Sequence, residues 1–402
     1  MFPILPRLAT LAFAAFGLAA CVGGGGSGPR PTAQAAPEAS IAMAAPTTAV
    51  STEQLNPVAP GSAKAALILP LSASGNAGQA ARSMKNAGEM ALAELGGSSL
   101  QLIVKDDGGT PAGAATAAQE AINEGAEIIL GPLFAQGAVS AGQVAQQANI
   151  PLVAFSTDAG AARRGVYLLS FLPSSDVDRI IAHAVKNGRK SFAAILPEDA
   201  YGSVVEGAFQ EAVAKNGGRV VSLEHYGSKA SDAAAAAGRV AKIAATADAI
   251  FVPDEAPAIA AALQKNGVDL KRVVLLGTSL WDDSAVLSSS ALTGGLYAGP
   301  DSAGWRGFQQ RYSARYSEQP SRTATLAYDA VSLAVALSRS EPGQRYTPQA
   351  LTNSSGFQGV DGIFRLRANG LNERGLAVLQ VQPGGAQIVS PAPKSFGGAA
   401  GL

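Results

Sequence analysis

From Ala65 to Leu276 the chain alternates short apolar runs with longer Ala-rich stretches. The clearest example is Ala126 to Gly160. Glu127 to Leu130 is a compact apolar run that suits a buried strand, and Gly131-Pro132 closes it. Gln136 to Ala148 is rich in Ala, Gln and Val and free of proline, which predicts a helix. Leu152 to Phe155 is a second strand, stopped by Ser156-Thr157-Asp158. Two strands joined through a helix run parallel with a right-handed crossover, so both end on one edge of the sheet. Gly131-Pro132-Leu133-Phe134 and Ser156-Thr157-Asp158 are therefore expected along one crevice, where open α/β sheets bind ligands.

The same unit recurs on both sides. Ala65 to Leu71 predicts a strand that runs into Ser72-Ala73-Ser74-Gly75, and Met84, Ala87, Met90, Ala91 and Leu95 follow at helical spacing. Leu100 to Lys105 is a strand ending at Asp106-Asp107, a pair that suits a turn and cap, and Pro111 to Asn123 is a helix with proline in its first turn. Tyr167 to Pro173 reads as a crossing segment. The series then restarts, with a helix capped by Ser174 or Ser175 and strands at Ser191–Leu196, Arg219–Tyr226, Ala249–Val252 and Arg272–Leu276. Helices at Ser203–Lys215, Ser231–Ala245 and Ala256–Asn266 separate those strands. Two such series predict an α/β fold of two doubly wound parallel-sheet lobes around a cleft. The expected division is residues 63–171 with 297–340 in lobe 1 and 172–296 with 341–390 in lobe 2. Beyond Tyr297 the pattern changes to helices at Trp305–Tyr316, Thr323–Leu337 and Thr347–Thr352, then strands at Gly362–Arg367 and Leu376–Gln382. The Pro/Gly/Ala stretch 391–402 is expected to be a disordered tail.

The amino end changes the picture. Residues 1–20 have the form of a signal peptide, with Arg7 ahead of an apolar core too short to span a bilayer as a helix. That core ends Leu18-Ala19-Ala20-Cys21, which resembles the lipobox of bacterial lipoproteins and implies a lipidated Cys21. Val22 in place of an aspartate implies the outer membrane by the sorting rule of those proteins. Cys21 is the only cysteine, so a disulfide framework is excluded. Residues 21–62 lack the apolar groups needed to fold and predict a disordered tether with a reach of roughly 35 Å.

Charge is balanced at 30 Lys+Arg against 30 Asp+Glu, which leaves no basic footprint for nucleic acid. The two histidines, His183 and His225, form no cluster with metal-ligand spacing, and neither a P-loop nor a Gly-x-Ser-x-Gly elbow occurs. No enzyme, cofactor or metal is expected. The candidate chemistry lies at the carboxyl ends of the strands: Ser72, Ser74, Phe134, Ala135, Ser156, Thr157, Asp158, Tyr201, Glu255 and Trp281. Of these, Ser156, Thr157, Tyr201 and Glu255 read as groups that orient a small polar ligand, and Phe134 and Trp281 as apolar walls.

The stretches ALILPLSASG, DDGGTPAGAATAAQEAI, EIILGPL, PLVAFSTDA, EDAYG and FQGVDGIFRLRANG stand in an order that resembles type I periplasmic solute-binding proteins of the leucine/isoleucine/valine group. The resemblance also takes in the solute-binding-like domain of penicillin-binding protein activators. It implies two lobes joined by three crossovers, and an extracytoplasmic receptor for an amino-acid-like or peptidoglycan-derived molecule. The partner is then an ABC importer or, in the activator reading, a peptidoglycan synthase. It further implies that Tyr201 packs over the ligand and that Glu255 or Asp254 meets its ammonium. Ala135 stands where the family often holds a carboxylate-binding serine.

Overall fold

The computed structural model describes residues 62–95 and 97–396. Cys21, the signal segment, the tether up to residue 61 and residues 397–402 lie outside the described residues.

The first sheet is built from β1 (Ala63–Leu69), β2 (Leu100–Asp106), β3 (Ile128–Leu130), β4 (Leu152–Ala154) and β5 (Val166–Leu168). All its pairings are parallel, in the order β2-β1-β3-β4-β5. The helices α1 (Gly75–Glu94), α2 (Pro111–Asn123) and α3 (Ala135–Gln147) return the chain between strands. Alternation along β1 divides the interior into two cores. Ala65, Leu67 and Leu69 point to one face of the sheet, and Ala66 and Ile68 to the other. On the second face α2 and α3 approach through small residues, namely Ala114, Ala117, Ala118, Ala138 and Ala141. The high alanine content of the sequence is therefore spent on close helix–sheet packing.

The second lobe repeats the plan. It contains α4 (Pro173–Lys186), β6 (Ser191–Pro197), α5 (Ala200–Lys215), β7 (Arg219–Tyr226), α6 (Ala230–Ala241), β8 (Ala249–Phe251), α7 (Ala256–Lys265), β9 (Val274–Gly277), the single turn α8 (Ser284–Leu287) and β10 (Leu296–Gly299). Then come α9 (Ser302–Tyr316), α10 (Ala324–Ser338) and the turn α11 (Pro348–Leu351), followed by β11 (Phe357–Gly359), β12 (Gly362–Leu366), β13 (Asn372–Arg374), β14 (Ala377–Gln382) and β15 (Gly385–Ser390). The second sheet has the order β15-β14-β10-β9-β8-β6-β7, with β14 and β15 antiparallel and the other pairings parallel. The fold is thus the α/β arrangement of two parallel-sheet lobes that the sequence predicts.

The lobe boundaries fall elsewhere than expected. Leu296–Gly299 pairs with β9 and β14, so it closes the second sheet and does not open the return to lobe 1. Tyr346, Leu351, Phe364 and Leu366 pack into the core of the first lobe, so residues 341–374 do not belong to lobe 2. The chain crosses between lobes at 169–172, at 300–301 and at 375–376, which gives the three crossovers. Val166–Leu168 is a strand, leaving only the residues after it to cross. Pro173 occupies the first turn of α4 after Leu172, in place of a Ser cap. The tail is ordered up to residue 396 as far as its contacts go: the Phe396 ring lies 4.6 Å from the Arg365 guanidinium.

Where the crossovers meet, the interior is ionic. Arg374 is buried, and its Nε donates to the Ser170 carbonyl oxygen at 3.1 Å, which also accepts from Asn372 Nδ2 at 2.8 Å. The Phe171 ring lies 4.7 Å from the Arg374 guanidinium and 4.5 Å from that of Arg322. Arg322 holds Asp361 with both nitrogens, at 3.0 and 2.7 Å. Asp329 on α10 approaches Arg374 only to 4.0 Å, and its Oδ2 accepts no hydrogen bond from a described residue. Burial pushes the Asp329 carboxyl up to about 7, against the pull of Arg374 and with the help of Asp361. Burial likewise raises Asp176, on α4, to about 6, although Ser279 hydrogen-bonds it.

A carboxyl whose folded pKa lies above its unfolded value binds an extra proton only when folded, so its stabilisation is complete below the unfolded pKa and is lost as pH rises through the folded one. For Asp329 that window runs from the ordinary carboxylate range up to about 7. Asp329→Asn is therefore expected to gain in Tm relative to the native chain as pH rises from about 5 to about 8. Thermal melts of both proteins across that range check it, and a constant or shrinking difference contradicts the assignment.

Candidate functional site

Crossing 169–172 leaves from the carboxyl end of β5, and crossing 300–301 leaves from the carboxyl end of β10. The carboxyl edges of both parallel sheets therefore adjoin the crossovers, and the candidate residues lie on those two edges.

On the first edge, the Ser72 and Gly108 amides both donate to Asp106 Oδ1, at 3.2 and 2.9 Å. Burial opposes the charge on Asp106, but these hydrogen bonds outweigh it and hold the carboxyl below its ordinary value. Asp107 braces the same turn by accepting from the Gly109 amide at 2.8 Å, and Thr110 caps α2. Ser74 precedes α1 and Phe134 precedes α3, neither with a side-chain cap. Phe134 is 40% exposed, and its ring lies against the glycine at 109, where a Cβ would approach it to 3.4 Å. Ala135 opens α3, so the first-turn amides there have no side-chain oxygen beside them. Ser156 is buried and its Oγ accepts from the Asp158 amide at 3.0 Å, while Asp158 accepts from Gly160 at 2.8 Å. Of that loop Thr157 and Asp158 are exposed. Gly131 is glycine for a reason of space: at its φ of 101° a Cβ would sit 2.1 Å from the Ile68 oxygen.

On the second edge, Tyr201 stands in the first turn of α5, which Asp199 caps by accepting from Gly202 at 2.7 Å. The Tyr201 hydroxyl lies 3.0 Å from Thr278 Oγ1, and Thr278 donates in turn to the Pro253 carbonyl oxygen at 3.3 Å. With the threonine proton so placed, Tyr201 donates. Glu255 precedes α7 with a left-handed φ of 51°, uncommon for a residue with a side chain, and its amide donates to Asp254 Oδ1 at 2.8 Å. Tyr226, at the end of β7, is buried with its hydroxyl unpartnered among the described residues. Burial raises its pKa first, and the charges of Asp254, Glu255 and Asp199 raise it further. Together with Glu198, Asp199, Asp254, Glu255 and Lys229 it lines a hollow of about 320 Å³.

Trp281 is a correction. It is 1% exposed and packs in the core beneath α7, with Nε1 donating to the Val252 carbonyl oxygen at 2.9 Å. It forms no wall of the cleft. Gly277 and Gly295 make the room: a Cβ at Gly277 would lie 2.2 Å from the indole, and one at Gly295 2.8 Å from it. Sequence reading missed Thr278 and Tyr226, although both stand at strand ends, where the same rule that selected Tyr201 would have found them. A larger hollow of about 650 Å³, lined by Glu127, Arg164, Tyr167 and Arg345 among others, lies at the amino ends of β3 to β5. Size alone favours it, but the strand direction places it away from the crossovers and from the edge where open α/β sheets bind ligands.

The sequence model of a periplasmic binding protein family matches residues 62–386. The chain belongs to that family. Similar solved structures include a putative branched-chain amino acid ABC transporter from Rhodospirillum rubrum, at 19% identity over 82% of this chain and 100% of that one, with a TM-score of 0.70. An ABC transporter substrate-binding protein from Desulfitobacterium hafniense in complex with Leu matches at 18% identity, over 82% and 100% of the two chains, with a TM-score of 0.58. A solute-binding protein from Rhodopseudomonas palustris in complex with 3,4-dihydroxybenzoic acid matches at 21% identity, over 83% and 97%, with a TM-score of 0.55. No curated protein matches the chain. At these identities the structures show a shared fold, so the leucine and the dihydroxybenzoate belong to those proteins.

Within this periplasmic binding protein, Gly277→Ala is expected to destabilise by about 1–3 kcal/mol, because the indole has no free volume into which to retreat. Denaturation curves measure the loss. Of the chain's two tryptophans, Trp281 is the one in contact, so its emission should shift to the red. Unchanged stability and emission would show that the indole is not confined by Gly277.

Proposed function

We propose that the protein is a non-catalytic extracytoplasmic receptor that captures a small polar, amino-acid-like ligand between its lobes for an ABC importer. The observation that carries the reading is the placement of two carboxyl edges beside three short crossovers, in a chain of the periplasmic binding protein family. Short crossovers let two lobes close as rigid bodies around a ligand. In this reading Ser72, Ser74, Thr157 and the α3 amides at Ala135 supply polar contacts from the first lobe, Asp158 shapes its turn, and Phe134 covers the guest. Tyr201 and Glu255 face it from the second. Ser156 serves by shaping the turn. Titration calorimetry against amino acids and aromatic acids tests the proposal: one class should give saturable heat, and Tyr201→Ala should weaken that binding at least tenfold in protein whose melt remains cooperative. Saturable heat unaffected by that substitution places the ligand elsewhere, and no heat from any compound rejects the receptor reading.

The lipobox ending in Cys21 supports anchoring in a membrane facing the periplasm, with the outer membrane favoured by Val22. Cys21→Ser is expected to move the protein from the membrane fraction to the soluble periplasmic fraction, and retention of the variant in membranes would overturn the anchor. A second reading, an adaptor that regulates a peptidoglycan synthase, is favoured by the tether and by Ala135 in place of a hydroxyl. Capture of membrane partners on the anchored protein separates the two: importer subunits support the receptor, a synthase the adaptor.

A further inference from the structure

The hollow on the second edge has a chemistry that the receptor reading leaves open. Glu198, Asp199, Asp254 and Glu255 surround it, with Lys229 as the one cation in its lining. Asp199 and Asp254 each use an oxygen on a backbone amide, whereas the Glu198 and Glu255 carboxylates accept no hydrogen bond from a described residue. At the floor is Tyr226, 6% exposed, whose hydroxyl has no partner although it is buried. An unpaired buried hydroxyl is costly, and native proteins rarely keep one without a ligand or water to satisfy it. A phenol both donates and accepts; an ionised carboxylate that came into reach could take its proton but could not donate to its oxygen, so a donor to that oxygen has to come from outside the hollow's acidic lining. The geometry points to a ligand with a basic group beyond an α-ammonium, an amine or guanidine, that enters this hollow, donates to the Tyr226 oxygen and is balanced by Glu198 and Glu255.

The inference rests on the receptor reading and names its ligand class. One α-ammonium leaves most of the negative charge of the hollow unopposed, since Lys229 offsets a single carboxylate. An anionic ligand meets four carboxylates of like sign and is repelled. A second basic group fits both the sign of the field and the depth of a hollow of about 320 Å³.

The experiment is calorimetry on the whole soluble chain with lysine, arginine and putrescine, set against norleucine and benzoate, at low and high salt. Lysine, arginine or putrescine should bind at least tenfold more tightly than norleucine, and the advantage should shrink as salt screens the carboxylates. Glu255→Gln should cut binding of the basic ligand about tenfold and Tyr226→Phe severalfold, each by more than it cuts binding of norleucine. Norleucine or benzoate binding in preference to all three bases overturns this inference and leaves the receptor reading standing. No binding by any compound in this panel or the broader one overturns both. Basic-ligand binding that survives both substitutions and is salt-insensitive also overturns the assignment to this hollow. Melts of each variant confirm folding, and Glu198→Gln, at an exposed position, provides a second test if Tyr226→Phe unfolds.

Discussion

A guanidinium buried where two of the three crossovers meet is the constraint on which the two-lobed arrangement depends. Removing an arginine from water costs several kcal/mol even after relaxation. Burial pushes the Arg374 pKa down, yet a guanidinium remains protonated in any protein interior, so the charge must be met. It is met indirectly. Asp329 is 4.0 Å away, Asp361 is committed to Arg322 and Thr325, and the aromatic faces of Phe171 and Phe364 lie 4.7 and 5.7 Å from the guanidinium. Cation–π contacts of that kind contribute on the order of 0.5–2 kcal/mol each and do not repay the desolvation alone. What the arrangement achieves is positional: Nε of Arg374 and Nδ2 of Asn372 converge on Ser170, tying the root of the third crossover to the root of the first.

Strands whose apolar runs stop abruptly were legible in the sequence. β2, β6, β7 and the helix α2 lie within a residue or two of their expected limits, because Asp106, Pro197, Asn123 and the flanking glycines terminate them chemically. β5 and β10 were not. Val166–Leu168 merges into a segment that is apolar through Leu172 except for Ser170, so the point where strand becomes crossing is set by pairing with β4. Leu296–Gly299 sits between glycines and has no strand-like composition. Its place comes from parallel pairing to β9 on one side and antiparallel pairing to β14 on the other. Both are decided by partners far away in the chain, which periodicity does not encode, and the misplaced lobe boundaries follow from them.

The site was legible by topology more than by residue type. The rule that strand ends gather at one edge placed Ser72, Phe134, Thr157, Tyr201 and Glu255 on the two carboxyl edges, but it does not say which side chains turn inward. Trp281 follows β9 as Tyr201 follows β6, yet it drops into the core. The glycines at 277 and 295, spaced to clear an indole, were the only sequence signal of that, and they are interpretable only once β9 and β10 are known to be neighbours. Tyr226 shows the converse. It ends a strand whose limits the sequence shows, but nothing in RVVSLEHY marks its hydroxyl as buried without a partner.

The two edges also differ in what their carboxylates do. On the first, Asp106, Asp107 and Asp158 each accept a backbone amide within their own turns, and Asp106 also accepts the Ser72 amide of the neighbouring loop, so their charge is spent on loop geometry. On the second, Glu198 and Glu255 have no such duty, and the backbone there places Glu255 in a left-handed conformation that a glycine would occupy at less cost. Solved structures of this fold are in complex with leucine in one case and a dihydroxybenzoate in another, so the fold alone leaves the charge of a guest undecided. That decision falls to the asymmetry between edges: a first lobe offering amides, hydroxyls and the exposed face of Phe134, and a second lobe offering uncommitted negative charge around a buried phenol. Under the proposed reading, a guest held between them is oriented by charge, with its cationic end toward the second lobe.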